Sequence, residues 1–397
     1  MLAIDGGSPV RTVAWPAWPQ FESDERGAVA EVLESGRVNY WTGTRGRAFE
    51  RAFADYTGVA HGIAVANGTV AIEVALQALG IGEGDEVIVP SCTFVATASA
   101  VMRMGARPVF ADLCPRSGNL TPQSVDAVAT ERTRAVIAVH LGGWPARVVE
   151  LAELCRNGGY AFIEDCAQAH GAAVGGQRVG SFSDVAAFSF CQDKIMTTAG
   201  EGGMVVAREE ALARRIWSAK DHGKSWEAVY EREHPPGFRW LHETLGTNGR
   251  MTELQAAVGL CQLGKLDTWV ARRRGHAGFL RRALSRHPAF DTPELPQDVY
   301  GAYYRLYTRV RPEALATGWD RDRLMVALEA EGLPCRVGSC TEIFREKVFD
   351  ALPRPELPVA AQLARVALSF TTHPTLDEPA LADAECILDK VMAVAAR

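Results

Sequence analysis

Asp165 ends the apolar run YAFIED and leads into Cys166, Ala167, Gln168, Ala169 and His170. The next run, VAAFSF, ends at Ser189 and Phe190, and Lys194 follows four residues later in SFCQDKIMTTAGEGGM. If both runs are strands of a parallel sheet, a carboxylate, a hydroxyl and an amine converge on its carboxyl edge, where ligands of such sheets gather. Pyridoxal phosphate (PLP) chemistry needs that set. The cofactor's aldehyde requires an amine for a Schiff base, its ring nitrogen an anion that keeps it protonated, and its phosphate N–H and hydroxyl donors. Lys194 supplies the amine, which can also shuttle protons, and Asp165 supplies the anion. Gly68 and Thr69 open a helix directly after a strand-like run, so their free amides and the helix dipole favour a phosphate, and Ser189 adds a hydroxyl.

Taken singly, each group has a structural reading. Lys194 is then a solvated lysine, Asp165 a helix cap, Thr69 and Ser189 turn residues, and Phe94 a core ring. His170 is either a satisfied buried histidine or a substrate-side group. The basic run Arg272, Arg273 and Arg274 reads as a solvated helix end.

These groups need a scaffold. From about residue 60 to residue 207, β-branched runs alternate with helical periodicity, the rhythm of an α/β fold. Residues 61–66 precede the turn Asn67-Gly68-Thr69 and then VAIEVALQAL, whose apolar spacing suits a buried helix. EVIVP, ARPVFA, RAVIAVH, YAFIED and VAAFSF read as further strands. Their apolar continuity implies cover on both faces, hence a mostly parallel sheet sandwiched by helices. Upstream, DERGAVAEVLESG and FERAFADYTG read as helices closed by Gly36 and Gly58. Beyond residue 252, TELQAAVGLCQLGKLDTWVARRRGHAGFLRRAL reads as a long helix linking two domains. The expected division is a large cofactor-binding domain over residues 1–260, N-terminal helices included, and a smaller C-terminal α/β domain over 261–397.

Composition narrows the function classes. The chain has 397 residues, 47% hydrophobic and 23% charged, enough for one or two cores without covalent staples. Its start, MLAIDGGSPVRT, has no basic and apolar leader, and no stretch reaches the length of a membrane span, so a cytoplasmic protein is expected, with no membrane partner. Nine cysteines lie scattered, mostly among apolar neighbours, and read as reduced core residues. The C-x4-C pair Cys335 and Cys340 has no partner pair, so no metal site is expected. A formal charge of −6 argues against a nucleic-acid partner while leaving room for a local basic pocket. No G-x-G-x-x-G follows a strand, which argues against a dinucleotide-binding oxidoreductase.

The sequence resembles the DegT/StrS family of sugar aminotransferases, PLP-dependent enzymes of fold type I, over nearly its whole length. The matching pieces are NYWTG (39 to 43), ANGTVAIEVAL (66 to 76), PSCTFVATASAV (90 to 101), IEDCAQAHGA (163 to 172), FSFCQDKIMTTAGEGGM (188 to 204) and NGRMTELQAAVG (248 to 259). The resemblance implies that Lys194 forms the Schiff base and Asp165 contacts the pyridine nitrogen. It also implies that Gln168 meets the ring hydroxyl, that Phe94 stacks on the ring, and that Gly68, Thr69 and Ser189 hold the phosphate. Family members are usually homodimers with shared sites, and Asn248 matches the position that reaches across to the partner's phosphate. Arg250 lies nearby, facing substrate. The chain departs from the family pattern at Gly249, where an aromatic residue is common, and at Asn67 and Cys166, where Ser or Ala is common. Related dehydratases carry histidine in place of the lysine, so retention of Lys194 implies transamination. The implied reaction moves an amino group from L-glutamate to a keto-sugar, nucleotide-linked, for amino-sugar biosynthesis. The alternative acceptor is a ketocyclitol, with L-glutamine as donor. A non-catalytic PLP-fold regulator is the reading of another class; retention of Lys194, Asp165 and Gln168 argues against it, as does the absence of a helix-turn-helix segment or basic arm.

Overall fold

The structure is a computed structural model that describes residues 1–397. Seven strands form the main sheet: β1 (His61–Val65), β2 (Glu86–Pro90), β3 (Arg107–Ala111), β4 (Thr133–Val139), β5 (Ala161–Asp165), β6 (Val185–Ser189) and β7 (Gly203–Ala207). Their spatial order is β1-β7-β6-β5-β4-β2-β3. β2 to β6 run parallel, through helical crossovers except between β5 and β6, where residues 166–184 form no helix; Val139 lies beside Asp165 and Asp165 beside Ala187. β7 alone runs antiparallel to its neighbours. The connection from β6 to β7 contains no helix and is shorter than residues 166–184, which return β5 to a parallel β6 also without one; an antiparallel neighbour needs no long crossover. Residues 190–202, with Lys194 among them, are that connection.

β7 fits between β1 and β6 because Gly203 has no side chain. It pairs with Val65 on one side and Ser189 on the other, and a Cβ there would lie 2.5 Å from the Asn67 carbonyl oxygen. Helices α1 (Ser23–Ser35) and α2 (Arg45–Thr57) close at Gly36 and Gly58 as their sequence predicts, both glycines in the left-handed region. Helices α3 (Gly68–Ala78) and α4 (Ala96–Arg103) cross over the sheet, and α3 buries Ala71, Ile72, Val74, Ala75, Leu76 and Ala78. A second sheet comprises β8 (Phe290–Asp291), β9 (Arg305–Val310), β10 (Cys335–Arg336) and β11 (Ala367–Thr371), all antiparallel, in the order β8-β9-β11-β10.

The long helix Glu253–Ser285 serves both sheets. Ala256, Leu266 and Val270 pack with α2 and the main sheet, whereas Ala277, Leu280 and Leu284 pack with the second. The chain's start crosses the expected division. Leu2 lies in the second core, and Glu331 accepts hydrogen bonds from the amides of Ala3 and Val10. The Arg272 to Arg274 run is not a solvated end. The helix continues eleven residues beyond Arg274, and Arg273 falls on the same stripe as Leu266, Val270, Ala277 and Leu280, so its side chain is buried at 1% exposure. The cysteines also differ from expectation. All are free, but Cys92, Cys155, Cys166 and Cys335 alone are fully buried, since the others sit in loops or on outward helix faces. No helix is long and apolar enough to cross a membrane.

Candidate active site

A cavity of about 900 Å³ opens at the carboxyl edge of the main sheet, between that edge and the first residues of β9. Asn67, Gly68, Thr69, Phe94, Asp165, Gln168, Ser189 and Lys194 all line it. Each reaches the cavity because it follows a strand end or opens a crossover helix.

At one end stands the N-terminus of α3. The Asn67 side chain accepts from the Val70 amide at 2.9 Å and its carbonyl accepts from Ala71 at 3.0 Å, which leaves the amides of Gly68 and Thr69 without a partner in the protein. Ser189 lies against them. A Cβ on Gly68 would sit 2.6 Å from the Ser189 Cβ, so only glycine lets these donors come together. Two free amides, a hydroxyl and the positive end of a helix form an anion cradle.

Asp165 lies deeper, 6% exposed. The Thr97 hydroxyl donates to one of its oxygens at 2.9 Å and the Ala167 amide to the other at 3.1 Å. Burial pushes its carboxyl pKa up, against the opposing pull of those bonds and of the Lys194 charge. Such a carboxylate is undercompensated until a cation joins it, and a protonated pyridine nitrogen is such a cation. Gln168 is held through its Oε1, which accepts from the Gly142 amide at 2.7 Å, so its amide N–H groups remain as donors. Phe94 is 67% exposed, a bare ring on the cavity wall.

Lys194 presents a free amine. Its Nζ makes no hydrogen bond, stands 3.9 Å from an Asp193 oxygen and lies 5.0 Å from the centre of the Tyr304 ring. Its backbone carbonyl is anchored by the Trp18 indole N–H at 2.8 Å. Tyr304 donates its hydroxyl to Asp193, so the second sheet reaches the lysine loop directly. Amine, anion, phosphate cradle and stacking ring together fit PLP.

Three anticipated residues lie elsewhere. His170 is fully buried between Phe188 and Phe190 and does not face the cavity. Burial first, then the charges of Lys194 and Arg273, pushes its pKa down to about 3, which makes it a neutral core ring. Asn248 is exposed and outside this chain's own cavity. Arg250 pairs with buried Asp221 at 2.9 Å and also stands outside the cavity. Between them Gly249 is buried, its carbonyl accepting from the Ala66 amide at 2.7 Å, and a Cβ there would meet Val70 at 2.9 Å.

Sequence reasoning missed Thr97, Trp18, Tyr304 and Arg305. Thr97 lay within the PSCTFVATASAV piece and could have been singled out as a buried hydroxyl. The other three reach the site only through tertiary packing and carried no local signal.

Comparison with known proteins places these residues in context. The model of the DegT/DnrJ/EryC1/StrS aminotransferase family matches residues 19–391. The chain is similar to an L-glutamine:2-deoxy-scyllo-inosose aminotransferase of Streptomyces kanamyceticus, 40% identical over 342 residues that cover 84% of this chain and 79% of the relative. It is also similar to a UDP-N-acetyl-3-dehydro-alpha-D-glucosamine 3-aminotransferase of Acidithiobacillus ferrooxidans, 36% identical over 364 residues, 92% of each chain. Among solved structures, an aminotransferase from Psychrobacter cryohalolentis superposes with a TM-score of 0.93 at 46% identity, covering 96% of this chain and 99% of that one.

Proposed function

Because this chain belongs to the DegT/DnrJ/EryC1/StrS aminotransferase family and is a PLP-dependent aminotransferase, we propose that it carries an amino group from L-glutamate to a ring ketone, a nucleotide-linked keto-sugar, for amino-sugar biosynthesis. The observation that carries the reading is one cavity in which a buried carboxylate, a free lysine amine and a helix N-terminus with two amides unpartnered in the protein meet. PLP supplies an aldehyde that takes and returns the amino group and a ring that withdraws electrons from the donor's α-carbon. With PLP bound, Lys194 would hold the cofactor through its amine and, once freed by the donor, would take up and pass on the donor's α-proton. Asp165 would keep the ring nitrogen protonated, which would strengthen electron withdrawal. Gln168 would donate to the ring hydroxyl, Phe94 would cover the ring face, and Gly68, Thr69 and Ser189 would hold the phosphate. In the acceptor half of the reaction Lys194 would move the proton in the opposite sense.

A second acceptor is favoured by the Streptomyces kanamyceticus relative: a ketocyclitol, with L-glutamine as donor. Preparing the aminated cofactor, removing the donor and adding each ketone in turn separates the two. Recovery of the aldehyde spectrum with a nucleotide keto-sugar alone supports the first reading, and recovery with a free ketocyclitol alone replaces it with the second.

The enzyme works as a homodimer in this proposal, each copy lending Asn248 to the other's phosphate cradle. Support comes from the exposure of Asn248 outside its own cavity and from the neighbouring Phe238, Trp240 and Leu245, exposed at 76%, 79% and 87%, an apolar surface that suits burial. Mixing inactive Lys194→Ala and Asn248→Ala chains would restore activity if sites are shared; no recovery in mixed dimers would refute sharing.

A further inference from the structure

Three arginines line the cavity. Arg103 pairs with Glu73 at 2.5 Å and Arg336 pairs with Glu329, whereas Arg305 has no carboxylate partner. It opens β9 on the wall that faces the lysine loop. Its guanidinium carbon lies 5.4 Å from the centre of the Tyr304 ring, the same ring whose centre is 5.0 Å from the Lys194 amine.

The surroundings of Arg305 are positive as well. Arg273 is buried nearby with no hydrogen bond. His373 is kept neutral, its pKa pushed down to about 4 by burial and by the charges of Arg273, His276 and Arg305. The nearby carboxylate, Asp193, is taken up by the Tyr304 hydroxyl. Asp193 keeps its charge on accepting from a neutral hydroxyl and offsets one of the two guanidinium charges of Arg305 and Arg273, so this wall stays net positive at short range from the reactive amine, and a low-dielectric cavity strengthens its pull on an anion.

We infer that Arg305 receives the α-carboxylate of the amino donor and so fixes the donor's α-carbon against Lys194. The inference rests on the aminotransferase reading above and holds for either donor, because L-glutamate and L-glutamine share that group. Reach favours this anion over the acceptor's phosphate. An α-carboxylate carbon stands two bonds from the amino nitrogen, whereas carbons of the sugar ring separate a nucleotide's phosphate from a ring ketone. The guanidinium fork matches a carboxylate bidentately, which a lysine does not.

The test uses the PLP-loaded protein with Arg305→Gln and Arg305→Lys. Binding is read from the cofactor spectrum with α-methyl-L-glutamate, which keeps the carboxylate but has no removable α-proton, and with its α-carboxamide. In the wild type the carboxylate binds more tightly than the amide. Arg305→Gln weakens the carboxylate by about 10- to 100-fold, the loss of a charge-assisted hydrogen-bonded pair, and abolishes the preference, while Arg305→Lys falls between. In single-turnover measurements the donor half-reaction loses at least about tenfold more than the acceptor half-reaction. Unchanged binding of α-methyl-L-glutamate overturns the inference. So does an equal loss in both half-reactions, which would mark a structural role, or a larger loss with the acceptor, which would assign Arg305 to the phosphate. A wild-type protein whose cofactor accepts no amino group from any amino acid overturns the aminotransferase reading first, and the inference with it.

Discussion

Asp165→Asn should move the stability of the free protein and of the PLP-loaded protein in opposite directions. Without cofactor, the carboxylate is buried with a raised pKa and only two neutral donors, Thr97 and Ala167, beside it. The amide removes the buried charge and keeps one acceptor for Ala167. Thr97 can turn its hydroxyl to Thr93, 2.8 Å away, and accept from the new N–H₂. We expect the apoprotein to gain about 1 kcal/mol, a rise in Tm of roughly 2 °C for a chain of this size. The sign follows from linkage: a carboxyl whose folded pKa is raised contributes its full stability below the unfolded value, and that contribution is lost as pH rises through the folded pKa. The advantage of the amide is therefore full above the raised folded pKa, fades as pH falls through it, and is gone below about 4. With PLP bound the order reverses. Loss of a charge-assisted contact to the ring nitrogen costs about 1.5–3 kcal/mol, or about 10- to 100-fold in cofactor affinity, and transamination slows at least as much. Thermal melts of both forms, with a PLP titration, decide it. An apoprotein that melts lower than the wild type, or a variant that binds PLP and turns over normally, would refute the reasoning.

Gly68→Ala should force the start of α3 away from Ser189, where a Cβ would lie 2.6 Å from its neighbour; a cost of about 1–3 kcal/mol and at least tenfold weaker PLP binding by about the same energy are expected in an equilibrium titration. His170, its pKa pushed down to about 3 by burial and by Lys194 and Arg273, takes up a proton on unfolding between that value and the unfolded value of about 6.5. Stability should fall by up to about 1.4 kcal/mol per pH unit as acid enters this window, and urea midpoints at several pH values should show a shallower fall for His170→Phe. Arg273→Met replaces a buried guanidinium without hydrogen bonds by an apolar chain of similar length, so Tm should stay level or rise, by up to about 4 kcal/mol of stability; a drop of several degrees would reveal a counter-charge that the packing conceals.

Much of the cofactor cradle was legible because its groups follow strand ends in the sequence. Asp165 and Ser189 end two neighbouring strands and Gln168 and Lys194 follow them, and the strand-turn-helix pattern at Asn67 pointed to the anion cradle. What failed was information held in three dimensions. The direction of β7 goes with a short connection, which lack of a helix alone does not signal, since residues 166–184 also lack one and lead to a parallel strand. The burial of Arg273 depends on counting helical turns from Val270 and Ala277 rather than on its charge, and its two arginine neighbours disguised it. His170 shares a motif with Gln168 yet turns into the core. Tyr304 meets Asp193 across a sequence separation of 111 residues, and Trp18 reaches Lys194 across 176, so nothing local announced either. Asn248 and Arg250 stand off their own chain's cavity, where sequence alone could give motif membership but no placement.

The central claim is that Lys194 carries the cofactor. Borohydride reduction of the PLP-loaded protein fixes a Schiff base as a stable secondary amine, and peptide mapping then locates it. Modification confined to the Lys194 peptide, and lost in Lys194→Ala, is the predicted result. Lys220 is the other amine to watch, fully buried with its pKa pushed down to about 8 by burial; cofactor fixed there, or retained by Lys194→Ala with turnover intact, would contradict the account.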